Sequence, residues 1–136
     1  FSFLFQPNFA NLTSKSVLIV DDDTHIRRVL EVKLKRHGFQ VWMAANGKTA
    51  LDQIREQAPD VVITDINMPI MDGKTLCIES DPLKKAKSFL TIVITARINP
   101  DEKNWVKKMQ DTVLMEKPFS PMEIVNVIES YLGGSA

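Results

Sequence analysis

The sequence predicts a five-stranded, doubly wound α/β domain, and three observations carry that reading. From Ser16 onward, five short aliphatic and β-branched runs alternate with longer stretches of helical period, which is the pattern of strand and helix units around a parallel sheet. The runs Val17–Val20, Val61–Thr64 and Leu90–Ile94 are nearly continuous in apolar or β-branched residues, as strands covered on both faces are. Between the runs stand Asn, Asp, Gly and Pro, where caps and turns need them.

Taken in order, Val17-Leu18-Ile19-Val20 is the first strand, and Ile26, Val29, Leu30 and Leu34 then recur at helical spacing up to Gly38, a natural stop. Val41–Ala44 is the second strand. Asn46 caps a helix that carries Ala50, Leu51, Ile54 and Ala58 inward, and Pro59 ends it. Val61–Thr64 is the third strand. A turn-rich loop, Asn67-Met68-Pro69 and Met71-Asp72-Gly73, leads to a weaker helix around Leu76 and Ile78. Leu90–Ile94 is the fourth strand, after which Asn99-Pro100 opens a helix holding Trp105, Val106 and Met109, with Asp101 and Glu102 at its positive end. Thr112–Met115 is the fifth strand. Ser120 and Glu123 stand in capping-box spacing around Pro121, and Ile124, Val127, Ile128, Tyr131 and Leu132 follow at helical spacing until Gly133-Gly134.

These boundaries divide the chain into an N-terminal extension or linker over 1–15, one domain over 16–133 and a tail over 134–136. At 136 residues the chain is the size of a single domain that buries most of its apolar surface. Its 17 Lys and Arg balance 17 Asp and Glu, which argues against direct nucleic-acid binding by this domain, because phosphate backbones demand a basic surplus. The lone Cys77 excludes an intramolecular disulfide, reads as a small buried hydrophobe and fits a reducing, cytoplasmic setting. No apolar run reaches the ~18 residues of a membrane span. Phe1, Phe3, Phe5 and Phe9 crowd the start without a basic leader, so a secretory signal is a poor reading there, and the sequon Asn11-Leu12-Thr13 carries little weight.

The residues just past each strand are the informative ones, since ligands of open α/β sheets bind beyond the strand carboxyl ends. Asp21, Asp22 and Asp23 come after strand one, Asp65 after strand three, Thr95 closes strand four and Lys117 stands just past strand five. In the flavodoxin-like strand order 2-1-3-4-5, the acids meet at the topological switch point. Clustered carboxylates either raise a pKa or recruit a cation, and oxygen-only ligands favour a hard one, Mg2+ above all. His25 and His37 have no metal-ligand partners at suitable spacing. An aspartate beside such an ion can attack phosphorus, with Lys117 and Thr95 supplying an ammonium and a hydroxyl for the phosphoryl oxygens. Singly, each residue has a plainer role as cap, turn residue, strand end or surface charge. Their joint placement at one sheet edge favours a site.

These residues resemble the receiver domain of two-component response regulators over about 16–132. The likeness rests on Val17–Asp23, on Pro59-Asp60-Val61-Val62-Ile63-Thr64-Asp65-Ile66-Asn67-Met68-Pro69, on Met71-Asp72-Gly73, on Thr95-Ala96 and on Lys117-Pro118-Phe119. The resemblance implies that Asp65 accepts a phosphoryl group from a histidine kinase or phosphotransfer protein. It implies that Asp22, Asp65 and the Asn67 carbonyl bind Mg2+ directly while Asp21 acts mainly through water, that Thr95 and Lys117 engage the phosphoryl group, and that the Lys117-Pro118 bond is cis. The surface near the fourth helix, fifth strand and fifth helix would report the change to an output domain or partner protein, with homodimerisation on phosphorylation as a further outcome.

Two departures accompany the likeness. Leu114 stands where receivers often carry an aromatic switch residue, and Met109-Gln110-Asp111 replaces a small-residue stretch. Asn67 and Arg97 sit where family members tune the lifetime of the phosphorylated state. The chain is expected to be a switch with autodephosphorylation rather than an enzyme. A Mg2+-dependent phosphohydrolase ranks lower, because Asn67 stands where such hydrolases place a second acid. A nucleotide or flavin binder ranks last, for want of a Gly-rich phosphate loop.

Overall fold

The structure, a computed structural model, describes residues 15–134. The Phe-rich start, the sequon and the end of the tail lie outside the described residues. Five parallel strands, β1 (Ser16–Val20), β2 (Gln40–Ala44), β3 (Val61–Asp65), β4 (Leu90–Thr95) and β5 (Thr112–Glu116), form one sheet in the order β2-β1-β3-β4-β5. The helices are α1 (Thr24–Arg36), α2 (Gly47–Gln57), α3 (Gly73–Ser80), α4 (Pro100–Lys107) and α5 (Pro121–Gly134), with a short 3₁₀ helix over Asp81–Lys85. This is the doubly wound α/β fold expected from the alternating pattern.

Strand alternation distributes the core between two layers. On one face Val17, Ile19, Ile63, Ile92 and Ile94 pack against Leu30 and Leu34 of α1 and Ile124, Val125 and Ile128 of α5. On the other, Leu18, Val20 and Val62 meet Ala50, Leu51 and Ile54 of α2 and Leu76 of α3, while Val93 meets Cys77, Trp105 and Val106. Each fully buried aliphatic side chain contributes about 1.5–3 kcal/mol. The central strands β1, β3 and β4 are buried along their length, and the edge strands β2 and β5 are half-exposed.

Helix starts obey local chemistry. Asp23, Asn46, Asp72 and Asn99 each accept a backbone N–H in the first turn of α1, α2, α3 and α4. At α5 the Ser120 and Glu123 pair closes a full capping box, with Ser120 N donating to Glu123 Oε1 and Glu123 N to Ser120 Oγ, both at 3.1 Å.

Several local expectations are corrected. Val29 is 38% exposed, because α1 buries the narrower stripe of Leu30 and Leu34, with Ile26 half-buried beside it. Ala58 is exposed at the end of α2 in the left-handed region, φ 48°, rather than turned inward. Ile78 of α3 is exposed, whereas Cys77 is buried as expected of a small hydrophobe; burial pushes its thiol up to about 12. Met109 lies past the end of α4, and α5 runs through the Gly133-Gly134 pair rather than stopping before it. The 3₁₀ helix is an element that periodicity could not find, since five residues are too few to show a period.

Candidate functional site

Three carboxylates converge where the chain leaves adjacent strands. β1 and β3 are hydrogen-bonded neighbours with Val20 opposite Thr64, so Asp21, one residue beyond, stands beside Asp65, the last residue of β3. Oxygens of Asp21, Asp22 and Asp65 lie within 4.8 Å of one another. Asp21 and Asp65 are buried, and Asp22 is exposed at the mouth. Asp23 stays out of the cluster: it caps α1 through His25 N, while its own N–H donates to Asp21 Oδ1 at 2.9 Å.

Burial pushes the Asp21 carboxyl above its ordinary pKa. The Asp23 N–H opposes that shift, the negative charge of Asp65 adds to it, Lys117 opposes it and Asp22 adds again. Lys117 Nζ stands 3.4 Å from Asp65 Oδ1 and is the cation that the protein itself brings to the cluster. The donors are oxygens only, which suits a hard divalent cation with retained waters and excludes a thiolate or imidazole metal site here. Asp21, Asp22 and Asp65 are thus a donor set that fits Mg2+. Asn67 lies exposed two residues beyond Asp65.

The loop between β3 and α3 is held by two glycines. Gly73 N donates to Ile66 O at 2.8 Å, and a Cβ on Gly73 would fall 2.1 Å from the Asp65 carbonyl oxygen. At the other end Gly47 N donates to Met71 O at 3.0 Å, and a Cβ there would meet that oxygen at 2.6 Å. These close approaches leave room only for hydrogen, and they set the backbone that carries Asp65. Gly73 falls in a motif visible in the sequence. Gly47 does not stand out there, and its one signal is its place directly after the Asn46 cap.

Thr95 ends β4 at the same edge, one residue past Ile94, the partner of Asp65. Its hydroxyl is directed to Glu102 Oε2 at 3.1 Å and the Arg97 carbonyl at 3.2 Å, and its carbonyl accepts the Lys117 N–H at 2.8 Å. Glu116, at the end of β5, accepts the Ile98 N–H at 2.7 Å and so ties down the loop between β4 and α4. Neither Glu102 nor Glu116 stands out in the sequence as a site residue, because one resembles a helix-end charge and the other an ordinary surface acid. The Lys117-Pro118 peptide is cis. Beside it a groove of about 460 Å³ is lined by His25, Ile26, Val29, Ala96, Lys117 and Phe119. Leu114, in place of an aromatic ring, packs against the cluster of Cys77, Val93, Trp105 and Val106, so the aromatic ring near this part of the sheet comes from α4.

A family model described as the response regulator receiver domain matches residues 17–129. Among curated proteins, the chain is 36% identical over 120 residues to "Probable transcriptional regulator ycf27" of Guillardia theta, covering 88% of this chain and 46% of that protein. The protein of the same description from Cyanophora paradoxa is 34% identical over 121 residues, covering 89% and 49%. The chain spans about half the length of these curated relatives. Among solved structures, the chemotaxis protein CheY4 of Vibrio cholerae superposes with a TM-score of 0.78 at 29% identity, covering 85% of this chain and 97% of that one. A putative response regulator from Chloroflexus aurantiacus gives 0.73 at 34% identity, covering 88% and 98%.

Proposed function

This chain belongs to the family of response regulator receiver domains, and from that premise we propose that it is the phosphoacceptor unit of a two-component system, with Asp65 as the acceptor. Receiver domains are signalling switches, and the unit proposed here spans 16–133. The observation that carries the reading is the convergence of Asp21, Asp22 and Asp65 within 4.8 Å, with Lys117 at 3.4 Å from Asp65.

In the proposed step an Asp65 carboxylate oxygen attacks phosphorus on the phosphohistidine of a histidine kinase or phosphotransfer protein. The P–O bond forms as the P–N bond breaks, and the imidazole leaves with the electron pair and takes up a proton. In the return step water attacks phosphorus, the P–O bond to Asp65 breaks and orthophosphate leaves. Mg2+ would be held by Asp21, Asp22, Asp65 and the Asn67 carbonyl, and when bound it supplies charge neutralisation at the phosphoryl oxygens. Lys117 offsets a further charge, and the Thr95 hydroxyl donates to a phosphoryl oxygen. Arg97 and Asn67 border the site and set the access of water. The groove beside Lys117, lined by Ile26, Val29 and Phe119, supports a donor carried on a protein surface.

The output is proposed to pass through α4, β5 and α5 to an output domain or partner protein, with homodimerisation as one form of it. The greater length of the relatives described as probable transcriptional regulators supports an attached output domain. The setting is proposed to be cytoplasmic; among the described residues no helix is long and apolar enough to cross a membrane. The test is incubation with acetyl phosphate and Mg2+, followed by intact mass and peptide mapping. One phosphoryl group on Asp65, absent from Asp65→Ala, is expected. An unmodified wild-type chain would sink the reading, as would modification that survives the substitution.

A further inference from the structure

The same four-residue motif opens two helices and is used differently in each. At α5, Ser120 and Glu123 exchange hydrogen bonds and the box is complete. At α4, Asn99 and Glu102 have the same spacing, and Asn99 Oδ1 accepts the Glu102 N–H at 2.8 Å. The reciprocal bond is not made. The Glu102 carboxylate instead takes the Thr95 hydroxyl at 3.1 Å through Oε2, while its Oε1 is buried without a hydrogen-bond partner. Forgoing a cap bond and burying a lone carboxylate oxygen are both unfavourable, so helix stability does not account for this orientation.

We infer that Glu102 is a latch on the switch threonine: its carboxylate holds the Thr95 hydroxyl in the resting state and competes with the phosphoryl group for that one proton. The inference rests on the receiver reading above. A hydroxyl has a single hydrogen to donate, divided at rest between Glu102 Oε2 at 3.1 Å and the neutral Arg97 carbonyl at 3.2 Å, so a phosphoryl oxygen must draw it away from both, and the charged one holds it harder. The bond to a charged acceptor is the stronger kind, and it must be given up before Thr95 can turn to Asp65. A phosphoryl group near Thr95 would also repel the Glu102 carboxylate, so engagement of the hydroxyl and departure of the acid are one event. Glu102 is a positioning residue in this scheme: it acts through Thr95 and sets how readily the phosphorylated form is reached. The Ile98 N–H bond to Glu116 ties the same loop at its other side, so release of Glu102 leaves the Thr95 hydroxyl with only the neutral Arg97 carbonyl as a resting acceptor and does not unpin the loop.

The experiment is a double-mutant cycle read by binding of beryllofluoride with Mg2+, a mimic of the phosphoryl group, in the wild type, Glu102→Ala, Thr95→Ala and the double variant. Glu102→Ala is expected to tighten binding about tenfold, on the order of one hydrogen bond to a charged group. Glu102→Gln, which keeps a neutral acceptor and the side-chain shape, should fall between the two and guards against a folding defect in the alanine variant. In the Thr95→Ala background, removing Glu102 should change affinity less than twofold. Equal affinity in wild type and Glu102→Ala overturns the latch, and so does a gain that persists without the Thr95 hydroxyl, which would make Glu102 a general electrostatic influence. Acetyl phosphate labelling of the wild type at Asp65 runs alongside. Its failure removes the phosphoacceptor reading on which the latch rests, whereas labelling with an unchanged Glu102→Ala removes only the latch.

Discussion

Lys117 Nζ sits 3.4 Å from Asp65 Oδ1, one side chain coming from the last residue of β3 and the other from the first residue past β5. The Lys117 side chain is 36% exposed, so the pair adds little to stability, of the order of 0.2–1 kcal/mol. Lys117→Ala should therefore shift the urea midpoint only slightly while slowing acetyl phosphate labelling of Asp65 about tenfold or more. An unchanged labelling rate would remove Lys117 from the phosphoryl site.

Magnesium should stabilise the folded chain, because its donors are assembled only there. At a concentration 100 times its Kd the gain is about 2.7 kcal/mol. Asp22→Ala should abolish most of it, as measured by thermal melts with and without the ion. In metal-free protein the sign with pH is opposite to the usual aspartate. The folded Asp21 carboxyl lies above its ordinary value of 3.8, so the folded state holds the proton more tightly than the unfolded one. Its contribution is most favourable below 3.8 and is lost as pH rises through the folded value. Asp65→Asn removes one of the charges that raises Asp21, so the Asp21 midpoint in an NMR titration should move down; a rise would contradict the assignment of causes.

Gly73→Ala places a methyl group against the Asp65 carbonyl oxygen, which no side-chain rotation relieves. A cost of about 1–3 kcal/mol is expected in urea unfolding, with slower labelling at Asp65 because the displaced backbone carries the acceptor. Normal stability would show that the loop has slack.

Lys84 is buried, and its ammonium reaches the carbonyls of Gln110 and Asp111 and the Thr112 hydroxyl, tying the 3₁₀ helix to the turn before β5. Asp81 tightens the same tie by accepting Gln110 N at 2.9 Å. Lys84→Met should cost about 1–3 kcal/mol through lost donors. Burial lowers the Lys84 pKa below 10.5, so the wild type should recover stability relative to the variant as pH rises from the folded value to 10.5. Parallel pH curves for the two proteins would refute this.

Ile70 is 77% exposed and has φ 71°, a left-handed conformation that a β-branched residue adopts at a cost. Ile70→Asn should raise stability by about 1 kcal/mol, since it relieves strain and gives up little burial. Loss of stability would mean that the Ile70 side chain contributes contacts of its own.

Much of this architecture was legible from the residues. Continuous apolar runs marked β1, β3 and β4 because strands buried on both faces leave no polar alternation. Asn46, Asn99 and the Ser120–Glu123 box marked helix starts because a cap is a local bond. The residues of the candidate site stood out as polar groups at strand ends. Legibility failed where placement depends on a distant neighbour. Val29 matched the helical period yet lies at the edge of the stripe, and nothing in the residues around Lys84 signals that it is buried.

Glu102 and Glu123 show where the division lies. By itself the sequence determined the alternation of elements, their caps and the set of acids that open the turns, since those depend on side chains within a few residues of one another. Only the tertiary structure decided that Glu123 closes its box while Glu102 leaves its own open for Thr95. The competing partner stands at the end of another element, and nothing in a four-residue motif records it.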